Sequence, residues 1–343
     1  MIMNLPYITK DIQGIGGYIR EKNEDFLVEE IPMYEPCGEG THLYINITKN
    51  GLTTLDVQKF ISEKTGIKLN DIGFAGMKDK NAITTQTISI LVETIKPEEI
   101  IEKIKDSEFK INWYRLHKNK LKPGHLRGNK FEIVISGIKI PIEEAFEKCE
   151  KISEIIKEKG IPNYYGPQRF GINEDNIQKG LDIIKGKYTP KSPWMKRFLV
   201  SAYQSYLCNI YLSERIKQNK FNTLIKGDIA KKYDSGGMFE VIDLDTEQKR
   251  YENKEITFTA PIYGRKFWEA TNESGEFEKQ ILENNTDMEK FSKIKNKGSR
   301  REGRILIPDL EVEKLSDKIK LKFSLPKGSF ATNIVREFTK NDN

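Results

Sequence analysis

The chain has 343 residues and a formal net charge of +6 at pH 7, with 37% hydrophobic and 31% charged residues. This composition predicts a globular protein of about two domains with a sizeable core, and it argues against disorder and against a membrane protein. Residues 1–11 contain no apolar signal-peptide core, so we expect a cytoplasmic location and no membrane partner.

The cysteine, histidine and glycine patterns give no sign of a metal or cofactor site. Cys37, Cys149 and Cys208 are too widely spaced for a disulfide framework or a zinc site, and only three histidines accompany them. Residues 14–17 lack the third glycine of a dinucleotide fingerprint, and residues 124–130 lack the spacing of a phosphate-binding loop. We therefore expect no metal and no cofactor.

Positive charge is concentrated in two segments. Residues 110–130 contain seven basic residues and no acidic one, and residues 293–304 contain six basic residues and one acid. The rest of the chain is mildly acidic. This asymmetry favours a protein that binds a polyanion, although two solvated basic loops would give the same pattern.

The first half of the chain alternates predicted strands with two predicted helices. The strands are predicted at 26–31, 42–47, 87–91 and 131–135, and the helices at 55–64 and 141–160. Thr53 or Thr54 can cap the start of the first helix, and Gly66 can cap its end. Apolar residues recur with the helical period in the second helix, which places Cys149 on its buried face.

The sequence changes character after Gly160. The predicted elements are helices at 176–185 and 197–216, a short strand at 256–259, a helical stretch leading into a basic loop over 272–304, and a strand around 319–323. The second helix is apolar nearly all round and should lie at the centre of a core. The last strand alternates apolar residues with lysines, which predicts a basic outer face. The sequence therefore indicates an α+β protein in two parts.

The densest polar motif is Gly-Phe-Ala-Gly-Met-Lys-Asp-Lys-Asn-Ala-Ile-Thr-Thr-Gln at residues 73–86. It places a single carboxylate, Asp79, between Lys78 and Lys80. Neighbouring cations favour the ionised form of a carboxylate, which can then act as a nucleophile or a base on a polyanion. Considered alone, the motif also fits an ordinary surface turn.

Three other segments combine amides, aromatic rings and cations. They are Gly128-Asn129-Lys130-Phe131, residues 163–171 and residues 325–332. Amides can bind base edges, aromatic rings can stack on bases, and cations can bind phosphates, so the combination suits single-stranded or extruded nucleotides. Each segment alone would also fit a turn with core aromatics, but four such segments in one chain weaken that interpretation.

Together these segments resemble the TruD family of tRNA pseudouridine synthases over almost the whole chain. Residues 73–86 are similar to the catalytic-aspartate motif of that family, and residues 163–171 to its Asn-Tyr-Phe/Tyr-Gly-x-Gln-Arg-Phe-Gly motif. The remaining matches are residues 24–26, 38–42, 128–131 and 325–332. The resemblance implies an α+β architecture. A pseudouridine synthase catalytic fold around a mixed β-sheet, residues 1–159 and 307–343, would carry an inserted α+β TRUD domain at 160–306.

The reaction implied by this resemblance is the isomerisation of uridine to pseudouridine in tRNA, at position 13 of the D arm. The base leaves the sugar at N1, turns, and rejoins it through C5, so no cofactor is expected. The target base is normally stacked and must be extruded into the site. The implied partner is tRNA, and no protein partner is implied.

The resemblance also implies roles for individual residues. Asp79 would be the essential carboxylate and Arg20 the cation beside it, whereas Phe26, Asn129 and Phe330 match substrate-contacting positions. Phe131 is a further candidate for stacking, with core packing as its alternative role. Further possible RNA contacts are Lys78, Lys80, Gln168, Arg169, Lys118, Lys120, Lys122, Arg300 and Arg301. For Gln168 and Arg169 the alternative role is to brace the site.

Two other classes of function compete with this hypothesis. A non-catalytic tRNA-binding or chaperone protein could retain the same fold, but it would not need the Asp79 motif. A carboxylate glycosidase or nuclease would need a second acidic partner or a metal cluster near the motifs, and the sequence shows neither.

Overall fold

The computed structural model describes residues 4–92 and 95–341, which divide into two compact units. The sheet unit comprises residues Gly14–Ser153 and Ile307–Gly328. The second unit, called here the helical unit, comprises residues 154–306 together with 4–13 and 329–341. Among the described residues, no helix combines the length and apolar character that crossing a membrane requires.

The sheet unit is built on one mixed sheet. Its strands are β1 (Gly16–Ile19), β2 (Phe26–Pro32), β3 (His42–Asn50), β4 (Ile72–Phe74), β5 (Ile83–Leu91), β6 (Phe109–His117), β7 (Leu126–Ile138), β14 (Glu311–Lys314) and β15 (Ile319–Pro326). The order is β14-β15-β7-β2-β5-β3-β6, with β1 added to β7 and β4 added to β5. Strands β2 and β5 run parallel, and the other pairs are antiparallel. The predicted mixed sheet is therefore confirmed.

Helices α1 (Thr54–Thr65) and α2 (Pro97–Ile104) cover one face of this sheet. The first helix begins as predicted, because the Thr53 side chain accepts a hydrogen bond from the Asp56 backbone N–H, and it ends at Gly66 in the left-handed region. Alternate residues of β3 and β5 meet these helices in a core of aliphatic side chains. This packing fixes which side of each strand faces inward, and with it the position of the loop between β4 and β5.

Helix α3 (Ile142–Lys159) follows β7 and carries the predicted apolar stripe, with Cys149 fully buried. The helical unit then contains β8 (Ile161–Pro162), α4 (Asp175–Ile184), α5 (Pro193–Lys217), β9 (Ile229–Lys232), β10 (Met238–Glu240), α6 (Leu244–Glu252), β11 (Ile256–Ile262), α7 (Asn272–Asn285), α8 (Met288–Ser292), β12 (Ser299–Glu302), β13 (Arg304–Ile305) and α9 (Ala331–Thr339). Its core surrounds α5, whose buried residues lie on several sides of the helix, as predicted.

One predicted element is partly wrong. In the predicted basic loop, residues 293–298 lie outside the helices and strands, whereas residues 299–302 pair as β12 with β11. The four-stranded sheet β10-β9-β11-β12 results. The polar sequence of this segment predicts a loop. Hydrogen bonds to β11 outweigh the low strand propensity of its residues and form a strand instead.

Candidate active site

Asp79 lies in the loop between β4 and β5, and its carboxylate is paired with Arg20. The Arg20 Nη2 atom lies 2.5 Å from Asp79 Oδ2, and both side chains are accessible to solvent. Arg20 directly follows β1 with φ of 64°, a left-handed conformation that non-glycine residues seldom adopt. Its guanidinium also lies 4.1 Å from the centre of the Phe26 ring. The fold therefore brings Asp79 next to Arg20, which lies 59 residues earlier in the chain and contacts Phe26.

Three aromatic rings pack in a row next to Arg20. Phe26 and Phe131 meet edge to face with ring centroids 6.2 Å apart, and Phe131 stacks on Phe323 at 5.4 Å. All three rings are buried. The structure thus shows core packing for Phe131 and Phe26, with Phe26 also supporting the guanidinium of Arg20. Whether either ring contacts a substrate base stays a prediction.

Asn129 lies on β7 opposite Glu30 of β2 and Leu325 of β15. Its Oδ1 atom is buried and accepts no hydrogen bond from the described residues. A buried acceptor without a partner costs about 1–3 kcal/mol, so such atoms often belong to a binding site. The neighbouring Gly128 allows the strands to approach here, because a Cβ atom at that position would lie 2.1 Å from the Leu325 carbonyl oxygen.

Buried polar side chains hold the loop that carries Asp79. The Lys78 ammonium binds Glu30 Oε2 at 2.8 Å, and the two side chains are only 5% and 3% exposed. The Lys78 backbone N–H donates to Thr54 Oγ1 at 2.9 Å, and that hydroxyl donates to Gln86 Oε1. The backbone on one side of Asp79 is thus fixed by groups from β2, α1 and β5.

Lys49 holds the other side of the same residue. Its ammonium donates to the Asp79 carbonyl oxygen at 3.1 Å and to the Leu52 carbonyl oxygen. Burial lowers the pKa of Lys49 to about 8, although the nearby Asp79 opposes this shift. The Asp79 carboxylate is therefore accessible to solvent, whereas the side chains that hold its loop are buried. We call the anchoring residues Glu30, Lys49, Thr54 and Lys78 the loop clamp.

A family model described as tRNA pseudouridine synthase D (TruD) matches residues 2–191 and 190–338. The chain belongs to the TruD family. It is similar to tRNA pseudouridine synthase D of Thermus thermophilus, with 39% identity over 336 residues that cover 98% of this chain and 92% of the relative. The protein of the same name from Anaeromyxobacter dehalogenans is 34% identical over 348 residues, covering 99% and 97%.

The fold is also similar to a solved structure. A crystal structure of a Methanosarcina mazei protein described as tRNA pseudouridine synthase D (TruD) matches with a TM-score of 0.81 and 27% identity. The match covers 99% of each chain. The α+β fold inferred from the TruD resemblance is thereby confirmed.

Of the loop clamp, the TruD motifs single out only Lys78, and that residue as a possible RNA contact; they give no reason to select Glu30, Lys49 or Thr54. A signal was present, however. Leu43, Ile45, Ile47 and Lys49 follow one another on the inward face of β3, so the lysine occupies a core position. Glu30 likewise continues an inward-facing series on β2. A charged residue at a core position of a strand indicates a buried partner.

Lys78 and Lys80 flank Asp79 but have different environments. Lys78 was predicted as a possible RNA contact, whereas the structure buries its ammonium against Glu30. Lys80 is exposed. Of the two lysines, only Lys80 is therefore placed to meet a phosphate.

The other predicted RNA contacts of the sheet unit lie between β6 and β7. Lys118 forms an exposed ion pair with Glu39 at 2.7 Å, and Lys120 donates to the Asn70 carbonyl oxygen. Lys122 is exposed and makes no ion pair with the described residues. The charge of this segment is thus partly engaged within the protein.

The remaining predicted site residues belong to the helical unit. Phe330 precedes α9 and is half-buried, with its ring 6.2 Å from that of Tyr165. Gln168 is exposed. Arg169 donates to Ser201 at 2.7 Å and to Ser205 at 3.2 Å, which attaches its loop to α5.

Arg300 and Arg301 are adjacent on β12 but differ in accessibility. Arg300 forms a buried ion pair with Glu278 at 2.6 Å and is not available to RNA. Arg301 is half-buried and donates to Asn163 through Nε and Nη2. Both residues therefore hold the helical unit together in this structure. Within residues 4–92 and 95–341, no cluster of three or more His, Cys, Asp or Glu side chains could hold a metal ion.

Proposed function

We propose that this protein isomerises uridine to pseudouridine in tRNA, at position 13 of the D arm, with Asp79 as the essential carboxylate. Membership of the TruD family supports the reaction class. The Arg20–Asp79 pair carries the assignment of the carboxylate, since it provides a solvent-accessible anion on a loop held by buried anchors. A non-catalytic RNA-binding protein would not require this arrangement.

The reaction rearranges bonds and transfers protons without changing the oxidation state. The C1′–N1 bond of uridine breaks and a C1′–C5 bond forms, while C5 loses a proton and N1 gains one. No external reactant is needed, which agrees with the expected absence of a cofactor. Asp79 would act either by attack at C1′ or by removing a proton from the sugar, and both routes require its carboxylate.

The neighbouring residues would orient the base and the carboxylate. Arg20 holds Asp79 in one position, and Phe26 holds the guanidinium of Arg20 from behind. The unpaired Oδ1 of Asn129 is suited to accept the N3–H of uracil. Phe330 stays a predicted substrate contact. The target base must leave its stack before it can reach these groups.

The decisive experiment compares wild-type protein with Asp79→Asn on an unmodified tRNA transcript. Because an amide can neither attack nor accept the proton, we expect pseudouridine formation to fall at least about 100-fold while tRNA binding changes less than twofold. Asp106→Asn, at an exposed carboxylate, is the control and should retain full activity. Sequencing of the product tests position 13.

Mapping pseudouridine in total tRNA from cells with and without the gene extends the test. Loss of the modification at position 13 alone would support the proposal as stated, and loss at another uridine would correct the site. Near wild-type activity of Asp79→Asn would show that the catalytic assignment is wrong. A wild-type protein that binds tRNA and forms no pseudouridine would favour the chaperone alternative.

A further inference from the structure

The connection from α4 to α5 carries a third concentration of positive charge. Residues 185–197 contain five basic residues and no acidic one. The basic residues are Lys185, Lys187, Lys191, Lys196 and Arg197. All except Lys185 are exposed, and none of the five forms an ion pair with another described residue. Their charge is therefore not neutralised within the protein.

Exposed aromatic side chains lie among these cations. Trp194 is 60% exposed and Tyr188 is 42% exposed, although tryptophan is highly buried on average. Trp194 stacks on Phe198, one helical turn further along α5, with ring centroids 5.4 Å apart and an angle of 8° between the ring planes. The indole is thus parallel to a partner ring while most of Trp194 stays accessible to solvent.

Local contacts define the start of α5 and hold Phe198. The Ser192 side chain caps α5 by accepting from the Met195 backbone N–H, and Pro193 occupies the first helical position. Phe198 is in turn contacted by the Arg169 guanidinium, 5.6 Å from its ring centre. Because the aromatic rings are already ordered, a ligand that stacks on Trp194 loses little affinity to ordering the protein.

We propose that residues 185–198 bind a single-stranded or looped part of the RNA substrate, with one base stacked on the exposed face of Trp194 and nearby phosphates bound by Lys191, Lys196 and Arg197. The combination of unpaired cations with exposed stacking rings is the one that recognises unpaired nucleotides. An anionic membrane would be attracted by the same charge, but a tryptophan lying flat on its own helix is poorly placed for insertion. This inference rests on the proposed function only for the identity of the RNA.

The charged part of the surface is tested by its salt dependence. In the variant Lys191→Gln/Lys196→Gln/Arg197→Gln, the log–log slope of tRNA affinity against salt should become shallower by about two to three, since each lost phosphate contact removes about 0.7–0.9. The control is Lys179→Gln/Lys279→Gln/Lys290→Gln. It removes the same charge from exposed lysines that are paired with neighbouring carboxylates. The control should change the slope by less than about one.

The stacking part is tested with Trp194→Ala, which should weaken binding to the tRNA transcript and to a 12-nucleotide single strand by about 5- to 150-fold. Trp194→Phe should recover part of the loss. Ile242→Ala is the matched control, because Ile242 is 75% exposed on the same unit but has Glu240 and Asp243 nearby in the sequence instead of cations. Thermal unfolding of each variant verifies that it is folded.

A spectroscopic readout reports stacking directly. With Trp113→Phe and Trp268→Phe, Trp194 is the only tryptophan left, and its fluorescence should be quenched when the 12-nucleotide strand binds. Loss of quenching at high salt supports the proposal. Unquenched fluorescence together with unchanged affinity of Trp194→Ala and of the charge variant overturns it. Binding of phosphatidylserine vesicles without binding of RNA overturns it as well.

Failure of this inference can be told apart from failure of the proposed function. Wild-type protein that forms pseudouridine, with RNA affinity indifferent to Trp194 and to the three cations, contradicts the inference alone. Wild-type protein that binds RNA through Trp194 but forms no pseudouridine contradicts the proposed function alone.

Discussion

The loop clamp and the segment 185–198 use lysine in opposite ways. In the clamp, the Lys78 ammonium is buried against Glu30, and the Lys49 ammonium is bound to two backbone carbonyl oxygens. In the segment 185–198, the cations are unpaired and four of the five are exposed. Both groups contain lysines, yet only the second leaves its charge available to a partner.

The difference follows from the cost of burying charge. A buried ammonium must have a partner, and its geometry is then fixed, so it is suited to hold a neighbouring group in place. An exposed, unpaired ammonium costs nothing to keep charged and adds to the field that attracts a polyanion. Whether a basic residue positions a catalytic group or binds RNA is therefore decided by its pairing.

The largest effect should come from breaking the buried pair. Lys78→Met leaves the Glu30 carboxylate buried without a partner, so we expect a loss of about 3–5 kcal/mol in the free energy of unfolding. Lys80→Met, two residues away and exposed, should change it by less than about 0.5 kcal/mol. Urea denaturation of the two variants measures this difference.

A double variant separates the charge from the packing. If the cost of Lys78→Met comes from the unpaired carboxylate, adding Glu30→Gln should recover part of the stability. Equal stability losses for Lys78→Met and Lys80→Met would show that the buried pair does not hold the loop. In that case Asp79 would have to be positioned by Arg20 and Lys49.

Asn129→Ala tests whether the unpaired amide oxygen of Asn129 forms a hydrogen bond with the substrate. Loss of a buried hydrogen bond to uracil costs about 1–3 kcal/mol, so the single-turnover rate should fall about 5- to 150-fold. The exposed amide change Asn284→Ala should leave the rate unchanged. A rate loss below about threefold, combined with a clear drop in melting temperature, would assign Asn129 to structure.

The sequence predicts much of the sheet unit because its signals are local. Alternation of apolar residues predicts β2, β3 and β15, and the cap at Thr53 with the glycine at 66 predicts α1. Strand β6 is not predicted, although residues 109–117 alternate aromatic or apolar side chains with polar ones for most of their length, because the positive charge of the segment dominates its interpretation. Pairing with β3 forms this strand.

The loop clamp shows what the sequence alone could not provide. A lysine at an inward-facing strand position, such as Lys49, indicates that a partner exists but not which one. The carbonyl of Asp79 is 30 residues away along the chain and comes within reach only when β3 and β5 pair. Similarly, the exposed stacking of Trp194 on Phe198 needs the helix to be defined first.

Because the pKa of Lys49 is lowered in the folded protein, the contribution of Lys49 to the free energy of unfolding depends on pH. Its pKa in the folded protein is about 8, below the value of about 10.4 for an unfolded chain, so the unfolded state holds more protons between these values. The free energy of unfolding of wild type should therefore rise relative to Lys49→Met, by up to about 1 kcal/mol between pH 8 and 9. Below pH 7 the difference between the two proteins should be constant.

Urea denaturation at pH 7, 8, 9 and 10 measures this difference. Lys59→Met, at an exposed lysine on α1, is the control, and its stability relative to wild type should not change over this range. A difference between wild type and Lys49→Met that stays flat, or that falls as pH rises, would show that Lys49 is not desolvated in the folded protein.

The smallest effect concerns the basic residues between β6 and β7. Neutralising Lys118, Lys120 and Lys122 removes three charges, but Lys118 is paired with Glu39, and Lys120 is bound to a backbone carbonyl. We therefore expect the log–log salt slope of tRNA binding to become shallower by only about one, the contribution of a single phosphate contact. That is less than half the change expected for the three cations of the segment 185–198.

The physical reason is that the basic residues of the two segments differ in whether they already have a partner in the free protein. An ammonium already bound to a carboxylate or a carbonyl must give up that partner before it can bind a phosphate, whereas an unpaired one has no bond to lose. Measuring both slopes on one tRNA preparation, from about 50 to 200 mM salt, compares the regions directly. Equal changes in slope would show that surface pairing in the free protein does not determine which lysines bind RNA.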